Sequence, residues 1–140
     1  MAARDAVVAM ELGQAMIVAG IGCRRGVSAN EVLEAIEAAN ARLLRRPHLI
    51  AIPASKEGER GVHDAAKSLG VGVTLVAQGD LEKASARTLT RSARSLAEMN
   101  VSSVSEAAAL AAAGASSKLL APRIALGPVT CALAESELNP

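Results

Sequence analysis

Two hydrophobic periods alternate along this chain. Short apolar runs bounded by Gly, Pro or charge read as buried strands at residues 15–20, 48–52 and 71–76. After the first run, Val32, Leu33, Ile36, Ala39 and Leu43 recur at helical spacing. Ser28-Ala29-Asn30-Glu31 has the Ser-x-x-Glu form of a capping box, which opens that helix. Arg45-Arg46-Pro47 ends it at about residue 44. Pro53 stops the second strand, and a helix over 61–69 closes on Gly70. Residues 80–100 are weakly helical and rich in Ser, Thr and Arg. Glu82, Arg87, Arg91 and Arg94 there suggest a solvated face on the most mobile part of the chain. Ser103-Val104-Ser105-Glu106 reads as a second capping box ahead of an alanine-rich helix over 107–113, ended by Gly114. Runs at 123–126 and 129–133 flank Gly127-Pro128, so they form an antiparallel pair. The first 14 residues have no decisive spacing and are read as a loosely packed N-terminal extension. Strands alternating with helices, then a hairpin, predict one α/β domain over 1–140. Its architecture is a three-layer α/β/α sandwich with a mixed sheet and a C-terminal antiparallel hairpin.

Composition narrows the function classes. The chain has 140 residues, enough to bury a core without disulfide or metal staples. Hydrophobic residues make up 51% and aromatics 0%, so the core is aliphatic and no base-stacking platform exists. A net charge of +1 provides no broad field for a nucleic-acid backbone, so any anion site is local. No apolar run is long enough to span a bilayer, and the first residues make a poor signal peptide. Cys23 and Cys131 then read as reduced thiols in a cytoplasmic chain. Composition does not set the oligomeric state.

The candidate chemistry lies in Gly20-Ile21-Gly22-Cys23-Arg24-Arg25-Gly26-Val27-Ser28, between the first strand and its helix. Strand, glycine-rich turn and capped helix make an anion-binding architecture, in which Gly20, Gly22 and Gly26 let backbone approach a ligand. Arg24 and Arg25, read as lying in the first helical turn, oppose the helix dipole unless an anion is bound. Their planar forks suit carboxylate or phosphate. The bland alternatives are a tight turn and solubilising arginines. Cys23 at a helix start beside two cations gains thiolate character, or it is a small filler. The loop after the second strand, Pro53-Ala54-Ser55-Lys56-Glu57-Gly58-Glu59, should share the carboxyl edge of the sheet with the first loop. Lys56 is then a third cation and Glu59 a partner or acid; otherwise this is an exposed charged loop. The dinucleotide fingerprint fails, because position 25 is Arg and no acid follows the second strand. There is no Walker motif, and His48 and His63 lack metal-ligand spacing, so no cofactor or metal is expected.

Gly20-Ile21-Gly22-Cys23-Arg24-Arg25-Gly26, Pro53-Ala54-Ser55-Lys56 with Glu59, Ser103-Val104-Ser105-Glu106-Ala107-Ala108-Ala109-Leu110 and Thr130-Cys131-Ala132 occur in that order. Together they resemble the family of CobE and the C-terminal domain of CbiG, from cobalamin (vitamin B12) biosynthesis. CbiG carries further N-terminal domains and is a cobalt-precorrin hydrolase that opens a lactone and releases a two-carbon unit. The resemblance covers the C-terminal domain alone, like the stand-alone members of the aerobic pathway. The family often has Thr before the Pro, where this chain has Ile52.

The resemblance implies a corrinoid or precorrin intermediate as ligand and other cobalamin-pathway enzymes as partners, with no nucleic acid and no membrane. Corrin precursors carry carboxylate arms around an apolar ring. Gly20, Gly22, Cys23, Arg24, Arg25, Gly26, Ser28 and Lys56 are the candidate binding residues. Two readings follow. One is a non-catalytic carrier or accessory partner. The other is a hydrolase-type enzyme acting on a side arm or lactone, with Cys23, Lys56, Glu59 or Glu106 as acid, base or nucleophile. No assembled nucleophile–base signature is legible, which favours the carrier. Glu106, three residues after Ser103, is expected to serve its helix cap first.

Overall fold

Three parallel strands form one half of the sheet. The structure, a computed structural model, describes residues 15–137; the N-terminal extension lies outside them. Strand β1 (Ile17–Cys23) pairs in parallel with β2 (Leu49–Pro53), and β2 with β3 (Gly72–Val76). Helix α1 (Ala29–Leu43) connects β1 to β2. A 3-10 turn (Ala54–Lys56) and α2 (Arg60–Leu69) connect β2 to β3. After β3 come α3 (Gln78–Ser85), α4 (Ala93–Met99), α5 (Val104–Ala113) and the two-residue strand β4 (Lys118–Leu119). The hairpin of β5 (Ile124–Leu126) and β6 (Val129–Glu135) then returns through the sheet, with β6 antiparallel to β1. The order is β3-β2-β1-β6-β4, with β5 also on β6. The sheet is mixed and lies between two helical layers, the three-layer α/β/α arrangement the pattern predicts.

The period of two along β1 divides the core. Ile17, Ala19 and Ile21 face α1 and α2, where they meet Val32, Ile36, Ile50, Val62 and Leu133. Val18 faces the other layer, with Leu81, Val101, Ala107 and Leu110. Without aromatics the volume comes from Ile, Val and Leu, and the gaps close because α5 is nearly all alanine. Every residue from Ser105 to Leu110 is buried, so this helix is enclosed on all sides. It could not sit as close with larger side chains.

The main correction concerns the end of β1. The pattern ends the first strand at Gly20 and places Gly20-Ile21-Gly22 in a loop. In the structure β1 continues to Cys23, with Gly20 paired to Ala132 and Gly22 to Thr130. Gly20 is therefore not free for a ligand: a Cβ there would lie 1.9 Å from the Ser105 carbonyl oxygen and 2.6 Å from the Ala109 nitrogen. Its missing side chain lets α5 press backbone to backbone on the sheet. Arg24 and Arg25 lie in the turn before α1, not within its first turn.

The first capping box is present. Ser28 Oγ accepts from the Glu31 N–H at 3.1 Å, and Glu31 Oε1 accepts from the Ser28 N–H at 3.0 Å. The second is not. Ser103 caps α5 by position, but its hydroxyl makes no cap bond, and Glu106 turns elsewhere.

Candidate functional site

The carboxyl ends of β1 and β2 share one edge because the strands are parallel. The N-terminal end of β6 reaches the same edge because β6 is antiparallel, which sets Cys23 opposite Val129. The chain leaving each strand end therefore surrounds one concavity, a cleft of about 510 Å³. Gly22, Cys23, Arg24 and Arg25 come from the first loop, and Pro53 and Lys56 from the second. The hairpin adds Arg123, Gly127, Pro128 and Thr130. Helix α4 closes the far side with Ser92, Arg94, Ser95, Glu98 and Met99, beside Val104 at the start of α5.

The two strand-end loops are tied together. Glu59 Oε1 accepts from the Gly26 N–H at 2.9 Å. Gly61 lies so close to the Val27 carbonyl oxygen that a Cβ would fall 2.2 Å from it. Gly26 itself has φ +80°, a conformation that side chains disfavour, and this bends the chain back toward α1. On the other side the Arg24 N–H donates to the Pro128 carbonyl at 3.1 Å, so the arginine turn is fixed to the hairpin.

Charge in the cleft is one-sided. Arg24, Arg25, Lys56, Arg94 and Arg123 face one carboxylate, Glu98. Arg94 pairs with Glu98 at 3.0 Å. Among the described residues, Arg24, Arg25, Lys56 and Arg123 have no ion-pair partner. In a chain of net charge +1 this is a local concentration of positive charge. Pro53, Met99, Val104 and Pro128 supply an apolar strip between the cations.

Of the residues singled out in the sequence, Gly22, Cys23, Arg24, Arg25 and Lys56 line the cleft. Gly20 lies under α5, the Gly26 N–H is held by Glu59, and Ser28 caps α1, so these three do not line it. Ile52, at the position where the family often has Thr, is buried in the core cluster with α1 and α2. Arg94, Arg123, Met99 and Thr130 were missed. The signal for the hairpin was available, since an antiparallel β6 must start where β1 ends.

Cys23 is not at a helix start. It ends β1, half-buried, and burial is the main influence on its thiol, pushing its pKa above the ordinary 9.0. Lys56 pulls it down and Glu59 pushes it further up. The expected thiolate character is thus corrected: desolvation outweighs the cation. Cys131 is buried in β6, and burial pushes its thiol to about 12. Both thiols are free. With a thiol reagent in native protein, Cys131 should stay silent and Cys23 should react slowly at neutral pH, faster as pH rises. Two thiols should appear on denaturation. Rapid native labelling of Cys23 at pH 7 would contradict its burial.

Glu106 is 0% exposed and lies behind the cleft. Its Oε1 accepts from the N–H groups of Leu89 (2.7 Å) and Thr90 (2.8 Å). Its Oε2 accepts from the Thr90 hydroxyl (2.6 Å) and the Arg123 N–H (2.8 Å). Burial works to raise its pKa. The Thr90 hydroxyl and the three N–H groups outweigh it, so the carboxyl lies below its ordinary 4.5. Four donors outcompete the single N–H that a capping box offers, so Glu106 does not return a bond to the Ser103 backbone.

The family described as "Cobalamin synthesis G C-terminus" matches residues 17–134. The chain belongs to this family. The match spans every element that bounds the cleft. Among solved structures, the chain is similar to CobE, a protein from the cobalamin (vitamin B12) biosynthetic pathway. The identity is 32% and the TM-score 0.84, covering 90% of this chain and 94% of that one. It is also similar to the cobalamin biosynthesis protein chiG from Agrobacterium tumefaciens str. C58. There the identity is 43% and the TM-score 0.72, covering 87% and 99%. A cobalamin biosynthesis protein G homolog from Sulfolobus solfataricus shares the fold at 24% identity and TM-score 0.62, over 89% of this chain and 38% of that one. No curated protein sequence matches the chain. As a member of the cobalamin synthesis G C-terminal family, the chain is a cobalamin biosynthesis protein. Among the described residues no helix is long and apolar enough to cross a membrane, and no cluster of three or more His, Cys, Asp or Glu is placed to hold a metal ion.

Proposed function

We propose that this protein binds a polycarboxylate corrinoid intermediate in the cleft, as a carrier or accessory partner of other cobalamin-pathway enzymes. The observation that carries the reading is the excess of cations around an apolar strip in a cleft of about 510 Å³. A corrin precursor has the complementary pattern, an apolar ring edged by carboxylate arms. Arg24 and Arg25 can each grip a carboxylate through two N–H groups, while Lys56 acts as a compact point charge. Pro53, Met99, Val104 and Pro128 suit the ring. The volume is in the usual range for small-molecule sites.

Binding is favoured over catalysis by the state of the candidate reactive groups. The Cys23 thiol is held above its ordinary pKa, Glu59 is engaged by Gly26, and Glu106 is enclosed. The competing reading, hydrolysis of a side arm or lactone, requires the ligand to come off chemically changed.

The test is a visible-absorbance titration with cobyrinic acid, a corrin whose arms end in carboxylates, against amidated cobinamide. The acid should bind more tightly, and its affinity should fall as salt rises. Arg24→Ala or Arg25→Ala should each weaken binding by roughly 1.5–3 kcal/mol, the scale of a hydrogen bond to a charged group. Lys at either position should restore little. A folded double Ala variant that binds the acid as tightly as wild type would remove the arginine turn from the site. Recovery of a modified corrin would favour the hydrolase.

A further inference from the structure

The cleft has two kinds of wall. The arginine turn and Lys56 are extensions of β1 and β2 and are held by the sheet. Helix α4 is not: it reaches the cleft from segment 86–92, which carries no strand, and Arg123 lies at the end of the irregular segment 120–123, tied to β6 through Leu120 before it and Ile124 after it. One side chain touches both segments. The Glu106 carboxylate accepts from Leu89 and Thr90 with one oxygen, and from Thr90 and Arg123 with the other. Leu89 and Thr90 lead directly into Ser92, which caps α4. Arg123 itself lines the cleft.

Glu106 stands on the best-anchored helix of the fold. Backbone contact at Gly20 seats α5 on β1, and its residues from Ser105 to Leu110 are all buried. A carboxylate on such a base transmits the position of the sheet to both outer walls. It leaves no N–H of the three unpartnered and contributes no atom to the cleft surface.

We propose that Glu106 is the positioning residue of the cleft, fixing the Arg123 wall and the α4 wall relative to the β1 and β2 loops. The assignment of a ligand to this cleft rests on the function proposed above; the clasp itself does not. The carboxylate is needed rather than any polar group of that size. Gln would keep the volume but exchange one acceptor oxygen for an N–H₂ donor. With its oxygen on the Leu89 and Thr90 amides, its nitrogen can still use the Thr90 hydroxyl as acceptor. The Arg123 N–H would then face a donor and lose its bond.

The experiment compares wild type, Glu106→Gln, Arg123→Ala, the double variant and Ile36→Val. Ile36 is buried in α1 on the opposite face of the sheet and serves as a control for general destabilisation. Amide hydrogen exchange is read without ligand, and affinity is read with cobyrinic acid. In Glu106→Gln, exchange at Arg123 should rise about tenfold or more beyond any global change. Affinity should fall about tenfold. The affinity losses of Glu106→Gln and Arg123→Ala should not add, because one acts through the other. Ile36→Val should leave affinity unchanged.

Unchanged exchange at Arg123 would overturn the proposal. So would unchanged affinity, additive losses, or an equal affinity loss in Ile36→Val. If wild type does not bind cobyrinic acid at all, the corrin reading fails on its own. Exchange at Arg123 then decides the clasp alone, for or against.

Discussion

Gly20→Ala should cost more than about 3 kcal/mol of stability, the upper end of what overpacking a core typically costs. Most added methyl groups in a core meet side chains that can rotate away. Here the new Cβ would lie 1.9 Å from the Ser105 carbonyl oxygen, 2.6 Å from the Ala109 nitrogen and 2.8 Å from the Ala109 Cβ. All belong to α5 and none can rotate aside. The helix must lift from β1, and it has no free side to move toward. Ala107, Ala108 and Ala109 are each 0% exposed, so the shift also strips contacts from α3 and β6. Against a total stability of about 5–15 kcal/mol this is a large fraction. Urea denaturation monitored by far-ultraviolet circular dichroism measures it. A variant with the wild-type midpoint would show that α5 is not seated on the glycine. A variant that unfolds early yet keeps ligand affinity where still folded would confirm that Gly20 serves packing rather than the ligand.

The same glycine shows where sequence reading stops. Every helix and strand with a regular period, from α1 to the hairpin, was legible from hydrophobic spacing, caps and breakers. The two-residue β4, the 3-10 turn at Ala54–Lys56, the last residues of β1 and the division of 78–99 into α3 and α4 were not. Gly20-Ile21-Gly22 was misread because closely spaced glycines are a turn signal. What makes them strand is remote: β6 pairs across them, α5 occupies the space a Gly20 side chain would fill, and the Thr130 hydroxyl of β6 stands where a Gly22 side chain would lie. No local pattern contains either partner. The candidate cleft divides in the same way. Its floor of Gly22, Cys23, Arg24, Arg25 and Lys56 was legible because parallel strands put their carboxyl ends on one edge. Arg94 was read as part of a solvated face because nothing in its own segment says that α4 lies across that edge. Glu106 had the spacing of a cap, yet its partners lie 16 or 17 residues away.

Glu106→Ala should destabilise the protein by about 3–5 kcal/mol at neutral pH, the scale of breaking a buried charged network. This is more than loss of a helix cap, about 0.5–2 kcal/mol. The Leu89, Thr90 and Arg123 amides would each be left without their acceptor in a buried or half-buried place, at roughly 1–3 kcal/mol per enclosed group before water enters. The pH dependence identifies the cause. In the folded chain the Glu106 carboxyl lies below its ordinary 4.5, so the native state favours the charged form. A carboxyl depressed on folding stabilises the protein fully above its unfolded pKa. That contribution is lost as pH falls from about 4.5 through the lower folded value. The stability gap between wild type and Glu106→Ala should therefore be constant near neutrality and narrow on acidification. It should not vanish, because the protonated side chain still fills its space and still accepts. Parallel urea titrations of the two proteins from neutral to acid pH read this directly. A gap independent of pH would mean that packing, not the carboxylate, holds the two walls. A gap that widens in acid would reverse the sign and exclude a charged Glu106 in the native fold.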